Sequence, residues 1–183
     1  MKSVKFTAIA LAAILSAVTI PALAQVMVGG APMYSSKDIV DNAVNSKDHT
    51  TLVAAVKAAG LVPTLKGPGP FTVFAPTNAA FAALPAGTVD NLLKPENKAA
   101  LTKVLTYHVV AGKMETAALI KAVDAGGGKA TLTEVSGGTL TVTRSGTMIM
   151  LSDESGGMAH VTIPDVVQSN GVIHVVDKVL LPK

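Results

Sequence analysis

The spacing of apolar residues changes once along this chain. From residue 36 to about 125 the apolar positions recur at helical intervals; from Lys129 onward they alternate with polar ones. In the first part, Ser36 starts a helix over 37–45 with Ile39, Val40 and Val44 on one side. Thr50 or Thr51 caps a second over 52–59, where Leu52, Val53, Val56 and Ala59 form a stripe and Gly60 supplies the stop. Further helices are predicted over 79–84, 89–93, 96–105 and 115–123, with Pro95 suited to a first helical turn. Two strands are expected among them, over 71–75 and 107–110. In the second part, strands are predicted over 130–135, 139–144, 147–151, 159–163, 165–168, 172–176 and 179–181. Ser136-Gly137-Gly138, Ser145-Gly146 and Asn170-Gly171 provide the turns between them. Helices first and strands last predict an α+β domain.

The run that organises the rest is Gly69-Pro70-Phe71-Thr72-Val73-Phe74-Ala75-Pro76-Thr77-Asn78-Ala79-Ala80-Phe81. Its aromatic and β-branched start reads as a short buried strand, which Pro76 ends because proline has no N–H for a ladder. Thr77 or Asn78 then caps the next helix. Phe71, Phe74 and Phe81 are three of the five aromatic residues that follow residue 24, and the chain has no Trp. This strand–helix corner is therefore expected to anchor the core.

Residues 1–24 read as a signal peptide: Lys2 and Lys5 lead an apolar run over 6–20, and Ala22-Leu23-Ala24 is a cleavage site. Cleavage would leave a chain starting at Gln25 with no further apolar run long enough to span a membrane. Residues 25–35, with Gly29-Gly30 and Pro32, are expected as a flexible lead-in, and residues 36–183 as one domain. Lys2 and Lys5 carry two of the three net positive charges, and no basic cluster remains to attract nucleic acid. Cysteine is absent, which excludes disulfide staples, thiol catalysis and thiolate metal sites.

Catalytic and cofactor motifs are missing. Gly126-Gly127-Gly128-Lys129 lacks the Gly and the Ser/Thr that a phosphate loop needs, and it precedes a strand rather than a helix. There is no G-x-S-x-G elbow, and Asp153-Glu154 reads as a solvated turn. His49, His108, His160 and His174 have no metal-ligand spacing. No enzymatic activity, cofactor or metal is expected.

Three ordered blocks resemble the signature blocks of the fasciclin (FAS1) domain family: the anchor run, Leu105-Thr106-Tyr107-His108-Val109-Val110-Ala111-Gly112, and the closing run from Ser169 through Asn170-Gly171 to Pro182. Asn78 stands where the family often has Asp. The resemblance implies a β-wedge of about seven strands with several helices packed around it. It also implies an exported, non-catalytic role in cell-surface or matrix adhesion, in the periplasm or outside the cell. Partner-binding residues carried over from it are Tyr107 and His108 in the Tyr-His block, with Asp165 and Val166 in the short element Pro164-Asp165-Val166-Val167. From the residues alone, His108 reads as a buried, hydrogen-bonded brace and Asp165 equally as a turn residue. The partner expected is a cell-surface or matrix protein or glycan. A second reading is an apolar small molecule such as a carotenoid or lipid, since some fasciclin-like proteins are carotenoid binders; Met148, Met150 and Met158 would line an adaptable groove or else join the core.

Overall fold

A hairpin opens the part of the chain that the computed structural model describes, residues 25–183; the expected signal peptide lies outside the described residues. Strands β1 (Met27–Val28) and β2 (Ala31–Pro32) pair antiparallel about Gly29-Gly30. Val28 and Met33 are buried in the core, so the packed domain begins before residue 36 and the 25–35 segment is not merely a flexible lead-in.

The helical half follows. Helix α1 (Ile39–Ala43) is capped by Asp38, whose carboxylate accepts the Asp41 N–H at 2.8 Å. A 3-10 turn over Lys47–His49 leads into α2 (Thr50–Ala59), which ends on Gly60 at φ 73°, the left-handed conformation a side chain disfavours. Then come α3 (Val62–Leu65), β3 (Phe71–Pro76) and α4 (Asn78–Ala82). Thr77 is the cap of α4, its hydroxyl accepting the Ala80 N–H at 3.2 Å. Helix α5 (Thr88–Leu92), a 3-10 turn over Pro95–Asn97, α6 (Lys98–Tyr107), β4 (Val109–Ala111) and α7 (Thr116–Ala125) complete this half.

The strands of the second half are β5 (Lys129–Thr133), β6 (Thr139–Ser145), β7 (Met148–Ser152), β8 (Met158–Gln168) and β9 (Gly171–Val176). Three expectations are corrected. Tyr107 belongs to α6 and His108 is its C-cap, so the strand begins only at Val109. The two strands expected over 159–168 are one strand, β8, with register shifts between Val161 and Val166. Residues 179–181 are not a strand, although Val179 and Leu180 are buried.

Seven strands form one sheet in the order β4-β3-β9-β8-β7-β6-β5. Its two edges meet: Val110 bridges Glu134, and the Val135 N–H donates to the Val109 carbonyl at 2.9 Å. The sheet is thus nearly closed, which leaves little exposed edge. Strand β9 runs parallel to β3 and antiparallel to β8. Successive side chains on a strand point to opposite faces, and both faces of β3 and β9 are covered. Val73, Ala75, Ile173 and Val175 pack against α1, α2 and α6, whereas Phe74 and Val176 join the strands β5–β8 and helix α7 inside the nearly closed sheet.

Asn170 locks the two halves together. Its side chain accepts the Ile39 N–H at 3.0 Å and donates to the carbonyls of Leu65 at 2.7 Å and Gly67 at 3.1 Å. A buried amide with its groups satisfied in this way holds α1, α3 and the β8–β9 turn in one arrangement.

Candidate functional site

His108 ends α6 and is 2% exposed. Its Nδ1 lies 2.8 Å from the Val104 carbonyl, which can only accept, so Nδ1 carries the proton. Nε2 therefore has a lone pair, and it accepts the Leu180 N–H at 3.0 Å. Burial pushes the imidazole pKa down to about 4, so the ring is neutral near pH 7. Beside it, Tyr107 is fully buried; its hydroxyl donates to the Thr139 carbonyl at 2.8 Å and accepts the Glu154 N–H at 3.1 Å. Burial raises that phenol to about 12. These two residues join the end of α6 to β6, to the 152–157 turn and to the segment after β9.

Asp165 sits at the irregular part of β8 and is half-buried, with φ at 55°, the one described non-glycine residue in the left-handed region. Asp tolerates that conformation better than most residues. Its carboxylate accepts the Thr116 N–H at 2.6 Å and so caps α7, whose own preceding residue, Glu115, makes no side-chain cap. The Asp165 N–H donates to Nδ1 of His174 at 3.3 Å, and Nε2–H of His174 donates to the Met114 carbonyl at 2.8 Å. Thr72 closes the same corner: its hydroxyl donates to the Gly112 carbonyl at 2.6 Å and accepts the Met114 N–H at 2.9 Å. The β4–α7 loop is therefore stitched at both ends to the sheet. Exposed Lys113 and Glu115 pair at 2.8 Å on top of it.

The sequence-derived residues thus divide. Tyr107, His108 and Val166 lie in the interior, Val166 at 1% exposure within the helix-side core. Asp165 reaches the surface, and it meets the loop that follows the Tyr-His block rather than Tyr107 or His108 themselves. His174 and Thr72 complete the corner and were missed; a polar residue in each of two otherwise apolar strands was the available signal. Asp153 and Glu154 are taken up in structure: Asp153 accepts the N–H groups of Ser155, Gly157 and Leu181, and Glu154 that of Thr139.

A cavity of about 60 Å³ lies between β3 and α1–α2, lined by residues such as Met33, Val40, Val56, Val73 and Ile173. His49 borders it, with Nδ1 2.8 Å from the Ser46 hydroxyl and Nε2 buried without a hydrogen bond. Burial lowers the His49 pKa; the Ala75 carbonyl acts in the opposite sense without making a bond of ordinary geometry. Among the described residues no three His, Cys, Asp or Glu side chains are arranged to hold a metal ion. No helix among them is long and apolar enough to cross a membrane.

Residues 47–182 match the profile of the Fasciclin domain. Protein sll1483 of Synechocystis sp. is 49% identical over 158 residues, spanning 85% of this chain and 79% of that protein. Immunogenic protein MPB70 of Mycobacterium bovis is 36% identical over 197 residues, spanning 97% of this chain and 93% of that one. Among solved structures, a FAS1 domain pair from the insect cell adhesion molecule fasciclin I superposes with a TM-score of 0.70 at 18% identity, over 79% of this chain. This chain spans about half (51%) of that domain pair, in keeping with a single copy of the fold. The three sequence blocks, the nearly closed seven-stranded sheet and the profile match agree: the chain belongs to the fasciclin domain family.

Proposed function

We propose that this protein is an exported, non-catalytic adhesion module that contacts a cell-surface or matrix protein or glycan through the corner where Asp165 meets the β4–α7 loop. The observation that carries the reading is the bond from the Thr116 N–H to the Asp165 carboxylate, which fuses two separate elements into one surface. A contact loop held by Thr72, His174 and Asp165 is already ordered before binding, which lowers the entropic cost of association. Family membership and the adhesion role named for fasciclin I support the same reading. Tyr107, His108 and Val166 serve it from behind, by holding the corner in shape. Both rings of His108 and His174 spend their donor and acceptor on backbone groups, which supports binding rather than acid–base chemistry.

The test is attachment of the protein to whole-cell surfaces or matrix, scored with folded variants only. Lys113→Glu and Glu115→Lys should each reduce attachment while leaving the melt unchanged. Undiminished attachment by both, together with Asp165→Asn, would remove the corner from consideration.

A second reading rests on the apolar cavity and the unpartnered His49 Nε2. At about 60 Å³ the space is smaller than the ~150 Å³ that accommodates benzene, so a lipid or carotenoid would have to part α1 and α2 from the sheet. Protein isolated from its native source and extracted with organic solvent should release such a ligand if this reading holds; colourless, lipid-free protein would leave adhesion ahead.

A further inference from the structure

The outer face of strands β7 and β8 carries a set of side chains that neither reading uses. Ile149, Leu151 and Ala159 point into the core, so their neighbours Met148, Met150, Met158 and His160 share the opposite face. Met148 is 52% exposed and Met158 47%; Met150 and His160 are half-buried. The register sets Met150 directly opposite His160 and Ser152 opposite Met158. Directly opposed residues have Cβ atoms about 4.5–5.5 Å apart and diagonal ones about 7–8 Å, within reach of long side chains. Met148 is the diagonal neighbour of His160 and Met158 that of Met150, so the two flank the Met150–His160 pair on opposite sides. Three thioethers and one imidazole thus share one patch of sheet, where the core makes no demand for methionine.

His160 is held as a metal-binding histidine is held. One oxygen of Asp177 accepts the His160 backbone N–H at 2.7 Å, and the other lies 3.0 Å from Nδ1. The Asp177 N–H returns a bond to the His160 carbonyl at 3.2 Å. A carboxylate only accepts, so in the neutral ring the proton sits on Nδ1 and Nε2 keeps its lone pair; no hydrogen bond from a described residue occupies it. A carboxylate on one ring nitrogen fixes the tautomer and the orientation with which the other meets a metal. Thioether sulfur selects soft monovalent ions, Cu(I) above all, and imidazole suits copper. The neighbouring outward positions on β6 are Thr141 and Thr143, neutral hydroxyl residues that offer a hard divalent ion no carboxylate.

We infer that Met150 and His160, joined by one of the flanking methionines Met148 or Met158, form a surface site for a soft monovalent metal ion, Cu(I) or Ag(I), with Asp177 as the positioning residue behind the histidine. The single negative charge of Asp177 matches the single positive charge of the ion. The chain has no cysteine, so thiolate cannot account for any such binding.

The experiment is an anaerobic titration of the purified protein with Cu(I) against the chromophoric chelator bicinchoninate. A parallel Ag(I) titration would be read by the methionine methyl resonances. One equivalent should bind, and the methyls of Met150 and of one of Met148 and Met158 should shift most, while those of Met27, Met33 and Met114 stay. Met148→Leu with Met150→Leu should weaken binding roughly tenfold or more, with the melt unchanged. Asp177→Asn should weaken it about 10–100-fold, as loss of such an outer partner does elsewhere. Failure of the protein to compete with the chelator would overturn the site. So would undiminished binding by a Met148→Leu, Met150→Leu, Met158→Leu triple variant, or an equal shift at exposed Met27.

Discussion

The Phe74 ring lies stacked on the His174 imidazole, centroids 5.6 Å apart and planes 24° from parallel, across the β3–β9 pairing. Both residues are completely buried. The strongest apolar anchor of the chain therefore rests on a polar ring whose own nitrogens hold the β4–α7 loop and the Asp165 turn. Phe74→Ala removes the ring and leaves a cavity, with an expected cost of about 3–5 kcal/mol. That is a large part of a typical domain stability of roughly 5–15 kcal/mol. Urea unfolding monitored by circular dichroism checks it; a midpoint shifted by a trivial amount would mean that the corner is not central.

Acid should weaken the domain through its buried histidines. His108, whose ordinary pKa is 6.5, is held at about 4 by burial, and His49 and His174 are lowered for the same reason. In that range the unfolded chain binds protons that the folded chain refuses. Stability is therefore full above pH 6.5, falls as the pH drops from 6.5 towards 4, and loses nothing more from His108 below that. For His108 alone the loss is about 3 kcal/mol. Unfolding midpoints measured from pH 7 to pH 4 should show this slope, and His108→Gln should flatten it while lowering stability at pH 7. A flat wild-type profile would contradict the buried neutral state.

Gly171 admits no side chain. A Cβ there would stand 2.1 Å from the Phe71 carbonyl oxygen, a backbone atom on the parallel neighbour. Gly171→Ala must push β3 and β9 apart and should cost about 1–3 kcal/mol, the usual range for overpacking. Gly146→Ala is the control: open space surrounds it, and at φ 62° the cost is that of the turn conformation alone. A thermal melt in which Gly171→Ala is the milder of the two would refute the close approach.

Asp165 combines a cap with a left-handed backbone. Asp165→Asn keeps both an acceptor for Thr116 and tolerance of φ 55°, so the melt should barely move. Asp165→Val loses the cap and forces a β-branched residue into that conformation, for an expected cost of about 2–4 kcal/mol. Equal melts for the two variants would show that neither the cap nor the backbone geometry matters.

What could be read in advance follows the range of the interactions. The anchor strand, the Thr77 cap, the Gly60 stop and the Asn170-Gly171 turn are decided by neighbours within a few residues, and each is where the local pattern puts it. Tyr107 and His108 read locally as strand, because Val109 and Val110 follow them. The helix continues through Tyr107 because its hydroxyl must reach Thr139 and the His108 ring must reach both Val104 and Leu180. Asp165 stands out in the sequence, yet its partner Thr116 comes from a distant part of the chain and leaves no mark on the local pattern. The same holds for Thr72 and His174, whose roles exist only once β3 lies beside β9. For the exposed Met148 and Met158 the pattern leaves groove and core open, because alternation tells which residues share a face but not which face is covered.

The parallel pairing of β3 with β9 also dictates the order of assembly. Phe71 finds its partner only when Gly171 exists, and Pro76 waits for Val176. During synthesis at about 5–20 residues per second, β3 with Phe71 and Phe74, and the nearby Phe81, spend on the order of ten seconds with no central strand to join. Non-local pairing of this kind places folding in the millisecond-to-second class, after the chain has been made rather than during it. A nascent chain of this protein consequently lacks its central strand pairing until residue 176 has been made. Its sheet can close only when that final strand arrives.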